Sequence, residues 1–304
     1  MNDYVLFILG IIAAGLGGDL FIRGAVGIAR AMRVSAGIIG VTIAAFATSS
    51  PELSVAFSSG LSGAPEIGFS DALGSNVVNV ALILGVTLLV GGIHAPRRTV
   101  KRSYVTALVA PAVLALLALD GMLSRIDGVV MLAIFLAWFV TVTVEAKRER
   151  SAAGAVLGES HKWPALIYCA VGLALLIAAG YLIVQGATGI AVSLGLSTFF
   201  IGAVVVAIGT SIPELATTLI SKLRGHDEVG LNTIYGSNIF NGLLVVGTVA
   251  ALSPIRVPAV ETTIALVFGI VSVALTLPSR RNVIERWRGA VLIAIYVIYV
   301  AGTA

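Results

Sequence analysis

"AAFATSSPEL" (Ala44–Leu53) and "VAIGTSIPEL" (Val206–Leu215) each place hydroxyl residues, a proline and a glutamate inside a long apolar run. Such polar side chains are costly in a helix that crosses lipid, and the same costly pattern occurs twice. The surroundings of both copies are strongly apolar. Of 304 residues, 58% are hydrophobic and 11% charged, whereas an average soluble chain carries roughly 25% charged residues. Apolar runs near the ~20 residues that a ~30 Å hydrocarbon core demands cover about 4–28, 36–60, 69–92, 103–120, 126–144, 163–187, 197–221, 230–252, 259–278 and 287–303. The runs are continuous, whereas strands of a membrane barrel alternate polar and apolar residues. The expected fold is an all-α membrane protein of ten transmembrane helices.

The charges orient the chain. Of the 19 lysines and arginines, all but Arg125 and Arg256 fall in alternate loops on one side, which the positive-inside rule assigns to the cytoplasm, leaving both termini outside. The net charge of +4 is therefore a topology signal, and nucleic acid is not an expected partner. The first run lacks the basic flank and small-residue cleavage site of a leader and is read as helix 1. The single cysteine, Cys169, lies in the sixth run, so no intramolecular disulfide can form.

Shifting the sequence on itself by 162 positions aligns 18–85 with 180–247 without a gap, and 27 of the 68 positions are identical. Each half holds an odd number of spans, five, so the second copy enters the membrane from the opposite side. The expected organisation is a first inverted repeat over 1–145, a cytoplasmic linker over 146–162 and a second inverted repeat over 163–304. Secondary transporters share this plan, with a site near the midplane built from interrupted helices. A channel can also be duplicated, but an inverted pair more naturally yields inward-open and outward-open states.

Pro51 has no N–H, so the carbonyl of Ala47 is expected to lose its helical partner and Ser50 to leave α geometry; Pro213 is expected to act likewise on Gly209 and Ile212. Freed carbonyls at membrane depth are tolerated where they face protein or a hydrated cavity. Glu52 and Glu214 follow the prolines directly, and an ionisable residue at midplane marks function by default. Paired carboxylates in such a site repel unless a cation or proton neutralises them. "GSNVVN" (Gly74–Asn79) and "GSNIFN" (Gly236–Asn241) add Ser75 with Asn79, and Ser237 with Asn241, each pair four residues apart on one helix face. The set is all oxygen, with no cysteine or histidine, and 6 to 8 flexible oxygens suit calcium better than magnesium. Gly24, Gly27, Gly74, Gly236, Asn76 and Asn238 read as packing residues. Asp19 and Arg23 read as an intrahelical ion pair.

At these residues the chain resembles the cation/calcium exchanger superfamily, and within it the sodium/calcium exchanger membrane proteins of archaea and bacteria. The family's G-T-S-x-P-E core is matched by Gly209–Glu214 and, with Ala47 in place of the glycine, by Ala47–Glu52; its G-S-N-x-x-N stretch is matched in both halves. The resemblance implies that Glu52 and Glu214, with the carbonyls of Thr48 and Thr210, hold calcium. Sodium would share the glutamates and use the carbonyls of Ala45 and Ala207 and the hydroxyls of Ser49, Ser211, Ser75 and Ser237, while Asn79 and Asn241 complete the centre. It further implies that helices 1 and 6 slide past a fixed core, with glycine-rich segments around Gly15–Gly27 and Gly180–Gly189 permitting the movement. Asp71 and Thr233 depart from the family, standing where it often has asparagine three residues before the G-S-N. Asparagine at Asn241, where potassium-dependent relatives carry aspartate, argues against a potassium requirement.

The expected activity is antiport of Na⁺ for Ca²⁺ across the cell membrane by a multi-pass, non-enzymatic carrier that needs no cofactor, the two ions being cargo and the bilayer the other partner. A proton/calcium exchanger using the same glutamates is the alternative, since a proton also neutralises a carboxylate. An intramembrane hydrolase using Ser49 or Ser211 lacks a base, because His94, His161 and His226 all fall in loops.

Overall fold

In the computed structural model, residues 3–32, 36–61, 63, 65–152, 162–193 and 207–303 are described. The apolar runs are helices. α1 is Asp3–Met32; α2 spans 36–48 and contains a π-helical stretch at Gly40–Ala44; α3 is Ser50–Leu61; α4 is Pro65–Val90; α5 is Arg97–Leu117; and α6 is Arg125–Ala152. α7 is Lys162–Ser193, α8 Ala207–Thr210, α9 Ile212–Leu223, α10 Asp227–Leu252, α11 Ala259–Ala274 and α12 Arg286–Thr303. Among the described residues, α4, α5, α10 and the 125–146 part of α6 are long and apolar enough to cross a membrane, and α2 with α3 meets the same measure only as a pair, bent by 46° at the break.

One expectation needs correcting, and two gain detail. The linker expected over 146–162 is helical at its start, because α6 continues through Ala152. Residues 145–149 read Glu-Ala-Lys-Arg-Glu, and these good helix formers extend an existing helix at little cost; residues 153–161 lie outside the described set. The fold is mostly helical, as expected, and two short ladders join its loops: β1 (Ile93–His94) pairs antiparallel with β4 (Val283–Ile284), and β2 (Met122–Leu123) with β3 (Ile255–Arg256). These ladders satisfy backbone groups where helices end. The correction concerns the proline breaks and is given with the site. Of the seventh expected span, 197–221, the part before Ala207 lies outside the described residues.

Burial sorts the helices into layers. α4 and α10 are enclosed along most of their length and form the middle of the principal core, where Phe69, Val77, Leu84, Leu231, Tyr235 and Val246 are buried. α5, α6, α11 and α12 pack around them and turn Val105, Leu116, Ile134, Leu136, Val267 and Val297 outward, as an apolar surrounding allows. α1 and α7 form a separate intimate pair around Phe21, Ala25, Ala165, Cys169 and Leu176, which also touches α9. Their closeness depends on glycine: a β-carbon on Gly24 would collide with the backbone of Cys169, and one on Gly17 would stand 2.9 Å from the Leu175 Cβ. Cys169 is thus a small buried residue, as the sequence implies.

Features recur at the offset of 162. The π-helical stretches of α4 and α10 begin at Val78 and Phe240. Gly63 and Gly225, which end the turns after α3 and α9, both take positive φ, +78° and +71°, a conformation that only glycine adopts without strain. Asn76 Nδ2 donates to the Asn238 carbonyl at 3.3 Å, and Asn238 Nδ2 donates to the Asn76 carbonyl at 3.1 Å. The two central helices are therefore stapled by one reciprocal pair of bonds.

Candidate transport site

Both proline motifs break their helices, one residue earlier than expected. Ser49 (φ −84°, ψ 9°) and Ser211 (φ −86°, ψ 8°) leave α geometry, while Ser50 and Ile212 already belong to α3 and α9. A proline is well accommodated in the first turn of a helix, where its missing N–H has no partner to lose. The serine before that turn leaves the helix instead. Nor is the Ala47 carbonyl orphaned, since backbone N–H groups at the break bond back to the carbonyls of Ala45 and Ala47. Ser49 N–H reaches the Ala45 carbonyl at 2.9 Å, and Ser211 N–H reaches that of Ala207 at 3.3 Å. The hydroxyls of Thr48 and Thr210 lean on the same two carbonyls, at 3.4 and 3.2 Å.

The breaks project α3 and α9 so that Glu52 and Glu214 are enclosed side by side. Both residues are fully buried, and the Glu214 carboxylate acts electrostatically on Glu52. Glu214 Oε1 accepts Ser49 Oγ at 3.4 Å and Ser237 Oγ at 3.1 Å. These bonds join α2, α9 and α10 across the two halves. The Thr48 hydroxyl stands 3.3 Å from that of Ser237. Around this connected part lie oxygens with no donor: both carboxylate oxygens of Glu52, Oε2 of Glu214, and Oδ1 of Asn79 and Asn241. The hydroxyls of Ser75 and Ser211 likewise meet no protein partner. A buried acceptor without a partner is costly. Such oxygens, carried by four helices, are the candidate ligands of a cation.

The residues singled out from the sequence thus fall into three groups. Thr48, Ser49, Glu214, Ser237 and Thr210 enter the bonds just described. Glu52, Ser75, Asn79, Asn241 and Ser211 are fully buried with oxygens that meet no donor. The carbonyls of Ala45 and Ala207 each accept two internal bonds, one from the backbone N–H of the serine at the break and one from the threonine hydroxyl before it. Among the described residues, no three His, Cys, Asp or Glu side chains meet on one metal position. His94 lies in β1 and His226 just before α10, away from Ser49 and Ser211; His161 is outside the described residues.

Two partners escaped the sequence. Asn238, read as packing, accepts Asn79 Nδ2 on its Oδ1 at 3.2 Å, which turns the Asn79 oxygen away from it. Asp19 does pair with Arg23, at 3.0 Å, but it also binds Arg224 at the end of α9. That second bond links α1 to the helix carrying Glu214, and no local spacing announces it.

A helical membrane carrier with two broken helices and a buried, oxygen-lined carboxylate pair belongs to the class of cation antiporters. The chain matches the sodium/calcium exchanger protein family over residues 3–144 and 164–303, and it is a member of that family. It is similar to the putative antiporter CaxA of Alkalimonas amylolytica, 32% identical over 97% of this chain and 96% of that one. It is also similar to the sodium/calcium exchanger MaX1 of Methanosarcina acetivorans, 26% identical over 98% and 97% of the two chains. Among solved structures it resembles the sodium-calcium exchanger NCX_Mj soaked with Na⁺ and Sr²⁺, with a TM-score of 0.83 and 28% identity over 98% of this chain and 97% of that one.

Proposed function

We propose that this protein exchanges Na⁺ for Ca²⁺ across the cell membrane by alternating access, with Glu52 and Glu214 as the charged ligands of the cargo. The reading rests above all on two fully buried glutamates whose carboxylates hold three oxygens without donors, set among hydroxyl and amide oxygens. A site of about −2 is neutralised by one calcium or by two or more sodium ions. Crossing the membrane's low-dielectric interior empty would expose uncompensated charge, costing several kcal/mol per ion, so reorientation is favoured only when the site is loaded. Calcium is held by Glu52, Glu214 and the carbonyls of Thr48 and Thr210. Sodium uses the glutamates with the carbonyls of Ala45 and Ala207 and the hydroxyls of Ser49, Ser75, Ser211 and Ser237; Asn79 and Asn241 complete the centre. The chain crosses the membrane ten times as two inverted repeats with both termini outside, and α1 with α7 moves as a unit against the core. The packing of that pair apart from the main core favours this division.

The test is calcium-45 uptake into proteoliposomes loaded with sodium, compared with potassium loading and with a proton gradient alone. Uptake is expected with internal sodium only. Uptake driven by the proton gradient without sodium would replace this reading with proton/calcium exchange.

A further inference from the structure

α1 meets α9 at two adjoining points. Gly18 lies so close to α9 that a β-carbon there would stand 2.6 Å from the Ile220 Cδ1 and 3.2 Å from the Ala216 Cβ. At the next residue, Asp19 Oδ1 accepts the guanidinium of Arg224, which caps the C-terminal end of α9. Asp19 Oδ2 takes the Arg23 guanidinium at 3.0 Å from within α1. One carboxylate thus holds a cation of its own helix on one oxygen and a cation of the neighbouring helix on the other. The side chains of Asp19 and Arg224 are 32% and 34% exposed, so their pairing adds little to stability and is readily made and broken.

The two arginines differ in what a movement of α1 does to them. Asp19 and Arg23 stand four apart on one helix and travel together. Arg224 follows the end of α9, beside Lys222, which is tied to the main body through Asp227 of α10 and the Gly92 carbonyl. A slide of α1 by one helical turn, about 5.4 Å, parts Asp19 from Arg224 and leaves its charge paired with Arg23. The contact has no equivalent at the opposite face. At the offset of 162, α1 and α9 exchange with α7 and α3, and Asp19, Arg23 and Arg224 become Tyr181, Gln185 and Ser62, all uncharged. In an inverted pair, the ionic contact therefore lies at one membrane face only, the face that the proposed orientation makes cytoplasmic.

We propose that Asp19 and Arg224 form a one-sided latch in the transport cycle, closed while α1 packs on α9 over Ala216 and open when the α1–α7 pair slides to expose the site to the cytoplasm. This rests on the reading of α1 and α7 as the moving unit. The latch biases the loaded carrier toward the arrangement closed to the cytoplasm, and Arg23 keeps the Asp19 charge compensated once it opens. Asp19 and Arg224 are positioning residues: neither is among the ligands proposed for the cargo, yet together they set the balance between the two facing states.

The experiment is thiol labelling of Ala216→Cys in a Cys169→Ala background, by a membrane-impermeant maleimide added to the cytoplasmic side of everted membrane vesicles with sodium and calcium on both sides. Ala216 is buried against Gly18, so the rate reads the fraction of molecules in which α1 has left α9. Asp19→Asn and Arg224→Gln are each expected to raise the rate about two- to fivefold, the usual effect of an exposed ion pair, and the double variant to raise it no further. Arg224→Lys, which keeps the charge, should label at close to the wild-type rate. Arg23→Gln removes a cation that competes for Asp19 and should label no faster than the wild type. Unchanged rates in Asp19→Asn and Arg224→Gln overturn the proposal, as does an acceleration in Arg23→Gln, which would mean that any loss of charge loosens α1. A second readout is the half-saturating calcium concentration for exchange at each face, from everted and right-side-out vesicles. The two single variants should lower the cytoplasmic value relative to the external one by the same about two- to fivefold, and a ratio that stays put overturns the latch. Labelling does not require calcium transport, so a failure of the exchange reading, seen as absence of calcium-45 flux in the wild type, is separable from a failure here.

Discussion

Replacing Glu52 by glutamine should move binding and bare stability in opposite directions. The side chain is fully buried and neither carboxylate oxygen meets a donor, so its charge is compensated only by a bound cation. Removing one member of a buried ion pair costs about 3–5 kcal/mol, which weakens calcium binding roughly 150- to 5,000-fold. At a calcium concentration of about 100 times the wild-type Kd, binding stabilises the wild type by about 2.7 kcal/mol, and the variant by about 0.3 kcal/mol or less. Without cations the sign reverses, because glutamine removes an uncompensated buried charge, and the variant should melt at or above the wild-type temperature. Thermal denaturation of purified protein at pH 8, with and without calcium, reads both effects, and calcium-45 flux in vesicles reads the consequence. An E52Q protein that keeps full calcium protection would refute the assignment of Glu52.

Protons compete with cations for Glu52 and Glu214, so exchange should fall as the pH is lowered and recover when calcium is raised at the same pH; inhibition that added calcium does not relieve would point elsewhere. Gly24→Val should overpack the contact between α1 and α7 and cost about 1–3 kcal/mol, seen as a drop of several degrees in melting temperature; an unchanged melt would mean the helices separate freely. Tyr235 is fully buried with its hydroxyl 2.8 Å from Thr276 Oγ1, so Tyr235→Phe should cost about 1 kcal/mol of stability and leave calcium affinity as it is, a combination that melting and binding measurements check together.

Apolar run length was enough to locate most of the helices, because the demand of lipid on side chains is local and cumulative. The interruption of α2 and α3 was legible for the same reason, since proline acts on its own helix. Its position slipped by one residue because Pro51 fits the first turn of a new helix, and the serine before that turn bends instead. The π-helical stretches at Val78–Leu84 and Phe240–Val245 carry no such mark: widening a helix by one residue per turn depends on what packs outside it. The bond from Asn79 to Asn238 and that from Arg224 to Asp19 span 159 and 205 residues. Only the folded arrangement brings such partners together, whereas the repeated motifs could be matched by counting along the chain.

The bonds exchanged by Asn76 and Asn238 have the form of an isologous contact, in which residue i grips j while j grips i, as at the two-fold axis of a homodimer. Here both gripping surfaces belong to one polypeptide. A substitution at either asparagine therefore strikes half of a matched pair, and because the halves are no longer identical copies, each can drift on its own. The departure of Asp71 from Thr233 is such a drift: covalent fusion freed one side of a once-symmetric centre to acquire a charge that an obligate homodimer would have had to carry twice.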